Sequence, residues 1–130
     1  MNRNGIHHLT LTVTDVARST AWYTALLGEA HAIALDAPGW RRTGLVWPDG
    51  LFLVLTQYDN TSADDRFDHA RVGLDHVGIG CPTEQDIRAW AAHMDATGVD
   101  HGPVEDASFA WVVTAHDPDG IAVEFFCSKH

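Results

Sequence analysis

Lysine is almost absent from this sequence of 130 residues, in which Lys129 is the only one. Lysine and arginine together number 8, against 18 aspartate and glutamate residues, so the formal net charge is −10. A surface this negative repels the phosphates of nucleic acids and the headgroups of anionic lipids. The composition therefore argues against binding to nucleic acid or to a membrane surface.

Long apolar runs and paired cysteines are also missing. No run approaches the ~20 apolar residues that a membrane-spanning helix needs, and the first eight residues show no apolar segment typical of a secretory signal. Cys81 and Cys127 are isolated in apolar, strand-like runs, which favours buried thiols. We therefore expect a cytoplasmic protein with a single domain spanning residues 1–130.

An internal repeat organises the chain. Residues 6–28 show a half-buried strand pattern followed by a helix pattern that ends at a glycine, and residues 74–98 show the same order. The motifs Pro48-Asp49-Gly50 and Pro118-Asp119-Gly120 then repeat as well, and each is typical of a hairpin turn. The offset between the two halves increases by two residues after the helices, which predicts a slightly longer second helix.

The repeat predicts an α+β fold made of two modules, each with the order β-α-β-β-β. The first module covers about residues 5–57 and the second about residues 73–127, with a weak strand near residues 99–104. A polar, aspartate-rich segment at about residues 58–72 is predicted to link them.

Two of the nine histidines, His8 and His76, occupy equivalent positions in the repeat. Because successive side chains in a strand point to opposite faces, both are predicted to point away from the helices, and so is Glu124 in the last strand. His7 is predicted to point the other way. Two imidazoles and a carboxylate form a set that holds a divalent metal with open coordination positions. The alternative is that each is an ordinary surface or hydrogen-bonded residue.

Four other side chains are predicted to share this face and to form a largely apolar pocket, those of Phe52, Val54, Ala122 and Phe126. The predicted rim of the pocket consists of Trp40, Arg41 and Arg42, just before the third strand, and of Trp111. Hydroxyls would supply hydrogen bonds, and arginine and tryptophan would suit an aromatic or carboxylate-bearing substrate. The alternative for Arg41 and Trp111 is that the arginine only offsets the acidic surface and the tryptophan only packs. The predicted substrate-binding residues are Thr10, Arg41, Phe52, Val54, Trp111, Thr114 and Phe126.

Four segments together resemble the vicinal oxygen chelate superfamily, the group of glyoxalases, bleomycin-resistance proteins and extradiol dioxygenases. The resemblance implies paired βαβββ modules that form a cup-shaped, eight-stranded mixed sheet with the helices on its outer face. It further implies His8, His76 and Glu124 as ligands of a divalent metal, and a homodimer in which two subunits share the cup. The similar segments are His8–Asp15, Trp22–Gly28, Leu74–Gly80 and Asp117–Glu124.

The resemblance leaves the reaction open. Val54 stands where enzymes resembling glyoxalase I carry a fourth ligand, and Thr114 stands where extradiol dioxygenases usually carry a tyrosine. We expect a metal-dependent lyase, isomerase or dioxygenase whose small-molecule substrate chelates Fe, Mn, Ni, Co or Zn through neighbouring oxygens. Glu124 is also the candidate catalytic group. The alternatives are a non-catalytic, drug-binding protein of the bleomycin-resistance type and a metal-free ligand-binding module.

Overall fold

The computed structural model describes all 130 residues and divides them into two compact units, residues 1–65 and residues 66–130. The boundary between the units falls within the segment that the sequence predicts as a linker. Neither of the two helices combines the length and the apolar character that crossing a membrane requires.

Unit 1, residues 1–65, contains one helix and a four-stranded mixed sheet. The first strand lies parallel to the last, and the other neighbouring strands are antiparallel, so that the order across the sheet is β1-β4-β3-β2. The elements are β1 (Leu9–Thr12), α1 (Val16–Leu27), β2 (His31–Ala34), β3 (Trp40–Val46) and β4 (Phe52–Tyr58).

Unit 2, residues 66–130, repeats this topology with the sheet order β5-β8-β7-β6. The predicted order β-α-β-β-β is therefore confirmed in both halves, and the eight strands form two four-stranded mixed sheets. The weak strand predicted near residues 99–104 is instead the two-residue β6, because Gly102 and Pro103 interrupt the segment before it. The elements are β5 (Val77–Gly80), α2 (Glu84–Thr97), β6 (Glu105–Asp106), β7 (Ala110–His116) and β8 (Ala122–Ser128).

The two helices differ in length as the repeat predicts, with 12 residues in α1 and 14 in α2. Asp15 caps α1 by accepting a hydrogen bond from the backbone N–H of Arg18 at 3.0 Å. Thr83 and Asp86 form a reciprocal capping box at the start of α2. Gly98 ends α2 with a φ of 72°, a left-handed conformation that glycine adopts without steric cost.

Each helix packs on one face of its own sheet. In unit 1, Tyr23 and Leu26 of α1 are buried, and α1 packs on β3 and β4. In unit 2, α2 packs on β7 and β8, and Trp90 stacks on Phe125 with ring centroids 4.1 Å apart. We call the opposite face of each sheet its helix-free face, and the alternation along the strands determines which side chains lie on it.

His101 connects the end of α2 to the segment before β6. Its Nε2 lies 2.8 Å from a carboxylate oxygen of Asp95, and its Nδ1 lies 2.6 Å from the carbonyl oxygen of Gly102. Neither partner can donate, so both bonds form only when both ring nitrogens carry a proton. The hydrogen bond with Asp95, reinforced by the Gly102 carbonyl, accordingly raises the pKa of His101.

The raised pKa of His101 predicts a pH-dependent contribution to stability. The pKa of His101 is higher in the folded state than in the unfolded state, where it is about 6.5. The hydrogen bonds of His101 therefore stabilise the fold fully below about pH 6.5, and this stabilisation disappears as the pH rises through the pKa of the folded state. We expect His101→Gln to lower the free energy of unfolding by about 0.5–1 kcal/mol at acidic pH, since Asp95 is largely exposed, and by less at alkaline pH.

Urea unfolding of the wild type and the variant across this pH range measures the difference. Asp95→Asn should show the same trend, whereas His31→Gln, at an exposed position of β2, should show none. A loss from His101→Gln that stays constant or grows with pH would contradict the assignment.

Candidate metal and substrate site

Unit 2 brings two of the predicted metal ligands together. Glu124 lies on the helix-free face of β8, because its neighbour Phe125 stacks against α2. His76 directly precedes β5, the parallel neighbour of β8, and its Nε2 lies 3.3 Å from Oε1 of Glu124. The side chain of His76 is 47% exposed and that of Glu124 is 21% exposed, so a ligand can reach the imidazole and the carboxylate.

Asp75 orients the imidazole of His76 from the other side. Its Oδ1 lies 2.6 Å from Nδ1 of His76, and this hydrogen bond is the main reason that the pKa of His76 is raised and that of Asp75 is lowered. The charge of Glu124 also raises the pKa of His76. In proteins, a metal-binding imidazole commonly donates a hydrogen bond from one ring nitrogen to a carboxylate, while the other ring nitrogen binds the metal.

Asp75 is not among the residues predicted for the site, because adjacent residues of a strand are expected to point to opposite faces. Asp75 and His76 lie just before β5, where strict alternation does not apply, and their side chains contact each other. An acidic residue beside a candidate ligand histidine was the signal available in the sequence.

Two further predicted residues share the face of Glu124. Thr114 pairs with Glu124 across β7 and β8, and Phe126 follows two positions later along β8. On the other side of Glu124, Gly78 is its partner in β5, and a Cβ atom there would lie 3.6 Å from Oε1. The carboxylate therefore has a hydroxyl on one side and a residue without a side chain on the other.

Unit 1 carries the third predicted ligand, His8, directly before β1. Its ring lies 5.5 Å from that of Phe52, and its Nδ1 lies 2.9 Å from Nδ1 of His7. The prediction that His7 points away from His8 is wrong, because both residues precede the strand in which alternation begins. With Nδ1 engaged, Nε2 is the nitrogen of His8 available to a ligand. Thr10 and Val54 pair across β1 and β4 and lie on the helix-free face.

The register places Arg41 and Trp111 on the helix-covered faces, not with Glu124 or Val54. Arg41 pairs with Gln57, whose side-chain oxygen accepts a hydrogen bond from the first backbone N–H of α1. The guanidinium of Arg88, on α2, lies over the ring of Trp111 at 5.5 Å. Arg41 and Trp111 therefore do not share a face with the other predicted substrate-binding residues, since a shift of one residue along a strand moves a side chain to the opposite face.

Arg42 occupies the helix-free face in place of Arg41. It pairs with Thr56 across β3 and β4, and its Nε donates a hydrogen bond of 2.8 Å to the hydroxyl of Thr56. Arg41 and Arg42 are adjacent in the sequence, and only the register of β3 with β4 determines which of them lies on the helix-free face.

Within neither unit do three or more histidine, cysteine, aspartate or glutamate side chains come close enough together to hold a metal ion. The proposed set of His8, His76 and Glu124 draws on both units. Its donors, two imidazole nitrogens and one carboxylate, match the ligand set that leaves open positions on a divalent metal, so the residues present fit such an ion.

The sequence has no match among proteins of curated function. Among solved structures, FosX, a genomically encoded fosfomycin resistance protein from Listeria monocytogenes, is 17% identical with a TM-score of 0.72, over 98% of this chain and 94% of that one. A structure of a FosX mutant holds Mn(II) and 1S,2S-dihydroxypropylphosphonic acid. It is 18% identical with a TM-score of 0.65, over 95% of this chain and 90% of that one.

A glyoxylase/bleomycin resistance protein/dioxygenase domain from Frankia sp. EAN1pec is more similar. It is 28% identical with a TM-score of 0.88, over 99% of this chain and 95% of that one. Residues 5–125 also match the family model described as the glyoxalase/bleomycin resistance protein/dioxygenase superfamily. The chain therefore belongs to the glyoxalase/bleomycin resistance protein/dioxygenase superfamily, also called the vicinal oxygen chelate superfamily.

Proposed function

We propose that this protein is a metal-dependent enzyme whose substrate is a small molecule with neighbouring oxygen atoms. His8, His76 and Glu124 hold the metal. The observation that carries the proposal is the contact of His76 with Glu124 at 3.3 Å, combined with the hydrogen bond from Asp75 that orients the imidazole. A carboxylate on an apolar strand is costly without a partner, and a cation between these groups removes that cost.

The metal would supply Lewis-acid chemistry by polarising the neighbouring oxygens of the substrate. Asp75 keeps the proton of His76 on Nδ1, so that Nε2 presents a lone pair to the site. Thr10 and Thr114 offer hydroxyls that orient the substrate, and the side chains of Phe52, Val54 and Phe126 exclude water around it. Glu124, the candidate catalytic group, has a second carboxylate oxygen that can accept a proton from the substrate.

We propose a divalent ion from the set Fe, Mn, Ni, Co and Zn, because two imidazoles and a carboxylate suit all five. The Mn(II) held by the FosX mutant supports this set. We also propose a homodimer in which two subunits share the cup, as the family resemblance implies. The ligands then come from unit 1 of one copy and unit 2 of either copy.

A pair of isomeric probes tests whether substrate binds through neighbouring oxygens. Catechol has two adjacent hydroxyls and resorcinol has the same two hydroxyls one carbon further apart. We expect catechol to change the visible absorption spectrum of the Co(II)-loaded protein and resorcinol to leave it unchanged, because only adjacent oxygens chelate one ion.

Equal responses to the two probes, or no response to either, would contradict the proposal. The drug-binding alternative predicts that metal-free and metal-loaded protein bind a cationic drug of the bleomycin type with equal affinity. A net charge of −10 would attract such a drug.

A further inference from the structure

The helix-free face of unit 1 carries a cluster of aromatic and cationic side chains that the metal site does not use. Arg42 pairs with Thr56 and Trp40 pairs with Tyr58 across β3 and β4, and all four lie on the same face as Val54. We call these four residues the Arg42 cluster. It lies at the end of β4 away from Phe52, the residue that contacts His8.

The guanidinium of Arg42 is fixed from two directions. Its Nε donates to the hydroxyl of Thr56, which is fully buried and therefore cannot swing away. Its Cζ lies 4.8 Å from the centre of the Trp40 ring, within the range of a cation–π contact. The Trp40 ring is in turn held edge-on against Tyr58, at 6.1 Å, and donates a hydrogen bond to the carbonyl of Leu35.

No carboxylate neutralises this guanidinium. Arg88 pairs with Glu84 and Lys129 pairs with Asp106, but no ion pair joins the guanidinium nitrogens of Arg42 to an acidic side chain. The acidic residue on the loop before β3, Asp36, accepts instead from the backbone N–H of Arg42 at 2.9 Å. Arg42 is half-buried, and its guanidinium has no acidic side chain to offset its charge.

We infer that the Arg42 cluster binds the carboxylate of a planar organic acid. With Nε engaged by Thr56, the two terminal nitrogens of the guanidinium keep N–H groups that can form a forked pair with a carboxylate. The rings of Trp40 and Tyr58 flank this position and can pack against the planar part of the same molecule. Tyr58 is 37% exposed, so part of that aromatic surface is open.

The inference rests on the proposed function in taking this acid to be the substrate of the metal site. Thr56 lies four positions after Phe52 along β4, a distance of roughly 13 Å at about 3.3 Å per residue. The substrate would therefore carry its neighbouring oxygens at one end and its carboxylate at the other, and Arg42 would select for that carboxylate.

Benzoate and its neutral analogue benzamide test the inference on metal-free protein. The measurement is the shift of the indole N–H resonance of Trp40 during a titration, with the resonance assigned by Trp40→Phe. We expect benzoate to shift it with a Kd on the order of millimolar, as suits so small a ligand, and benzamide to bind several-fold more weakly. Arg42→Gln should weaken benzoate binding about tenfold, and Arg42→Lys should weaken it by less.

Arg41→Gln is the matched control, because it removes the same charge from the adjacent, helix-covered position. It should change the Kd for benzoate less than about twofold, since a long-range charge effect is screened by salt. Equal weakening by the two substitutions, or equal affinity for benzoate and benzamide, would overturn the inference. So would the absence of any benzoate-dependent shift.

The outcome is separable from that of the proposed function. Arg42→Gln should retain the metal content of the wild type, and Glu124→Ala should retain the benzoate-dependent shift of Trp40. Loss of benzoate binding in Arg42→Gln would support the carboxylate site even if catechol and resorcinol gave equal responses at the metal.

Discussion

Replacing Glu124 with alanine should lower the affinity of the protein for divalent metal about 100-fold or more. Glu124 supplies the only carboxylate of the proposed ligand set, and its removal leaves two neutral imidazoles with no negative charge to offset the cation. His8→Ala should have a comparable effect, because it also reduces three ligands to two. Competition titration with a chromogenic chelator measures both affinities on tag-free protein.

Glu84, in the same unit, provides the matched control. It lies at the start of α2 and pairs with Arg88, so Glu84→Ala removes the same charge without touching the site. Asp75→Asn should weaken metal binding by an intermediate amount, about 10-fold to 100-fold, because Asp75 acts only by orienting His76. Unchanged metal content in both His8→Ala and Glu124→Ala would rule out the proposed ligand set.

Replacing Asp117 with alanine should lower the free energy of unfolding by about 3 kcal/mol. Asp117 is only 5% exposed, and its Oδ1 accepts hydrogen bonds of 2.9 Å from the backbone N–H groups of Asp119 and Ile121. Alanine would leave both N–H groups in the turn without this acceptor, and the turn leads directly into β8, which carries Glu124. Urea unfolding followed by circular dichroism measures the loss.

The repeat supplies a control for this prediction in the first module. Leu51 is the counterpart of Ile121, and its backbone N–H is bound at 3.0 Å by Asp49, an exposed residue. Asp49→Ala removes one exposed bond instead of two buried ones, so it should cost about 0.5–1 kcal/mol. Asp117→Asn keeps an acceptor oxygen and should lose less than half as much as Asp117→Ala. Equal losses from Asp117→Ala and Asp49→Ala would contradict the role of burial.

Alternation along the strands was enough to predict the faces of residues well inside the sheets. Val54, Thr114 and Phe126 lie on the helix-free faces because they fall within β4, β7 and β8, where successive side chains must alternate. The sequence therefore predicted the order of the elements along the chain, the glycines that end the helices and the face of these three residues. The two Pro-Asp-Gly turns identified the repeat. They did not predict that a buried aspartate, Asp117, stands in the second module where the first module has Trp47.

Residues at strand ends and in adjacent pairs escaped the same reasoning. His7 and Asp75 lie outside β1 and β5, so their side chains follow local hydrogen bonds instead of the pleat. Arg41 and Arg42 differ by one position, and the pairing of β3 with β4, set by tertiary packing, decides which of them reaches the helix-free face.

Anomalous diffraction from crystals grown with Mn(II) would show whether His8, His76 and Glu124 hold a metal ion. We expect one strong anomalous peak per chain, at about 2.0–2.3 Å from Nε2 of His8, Nε2 of His76 and a carboxylate oxygen of Glu124. The same map shows whether His8 comes from the same chain as His76 or from the partner subunit. A peak elsewhere, or a bound ion that any of these three residues does not contact, would contradict the proposed ligand set.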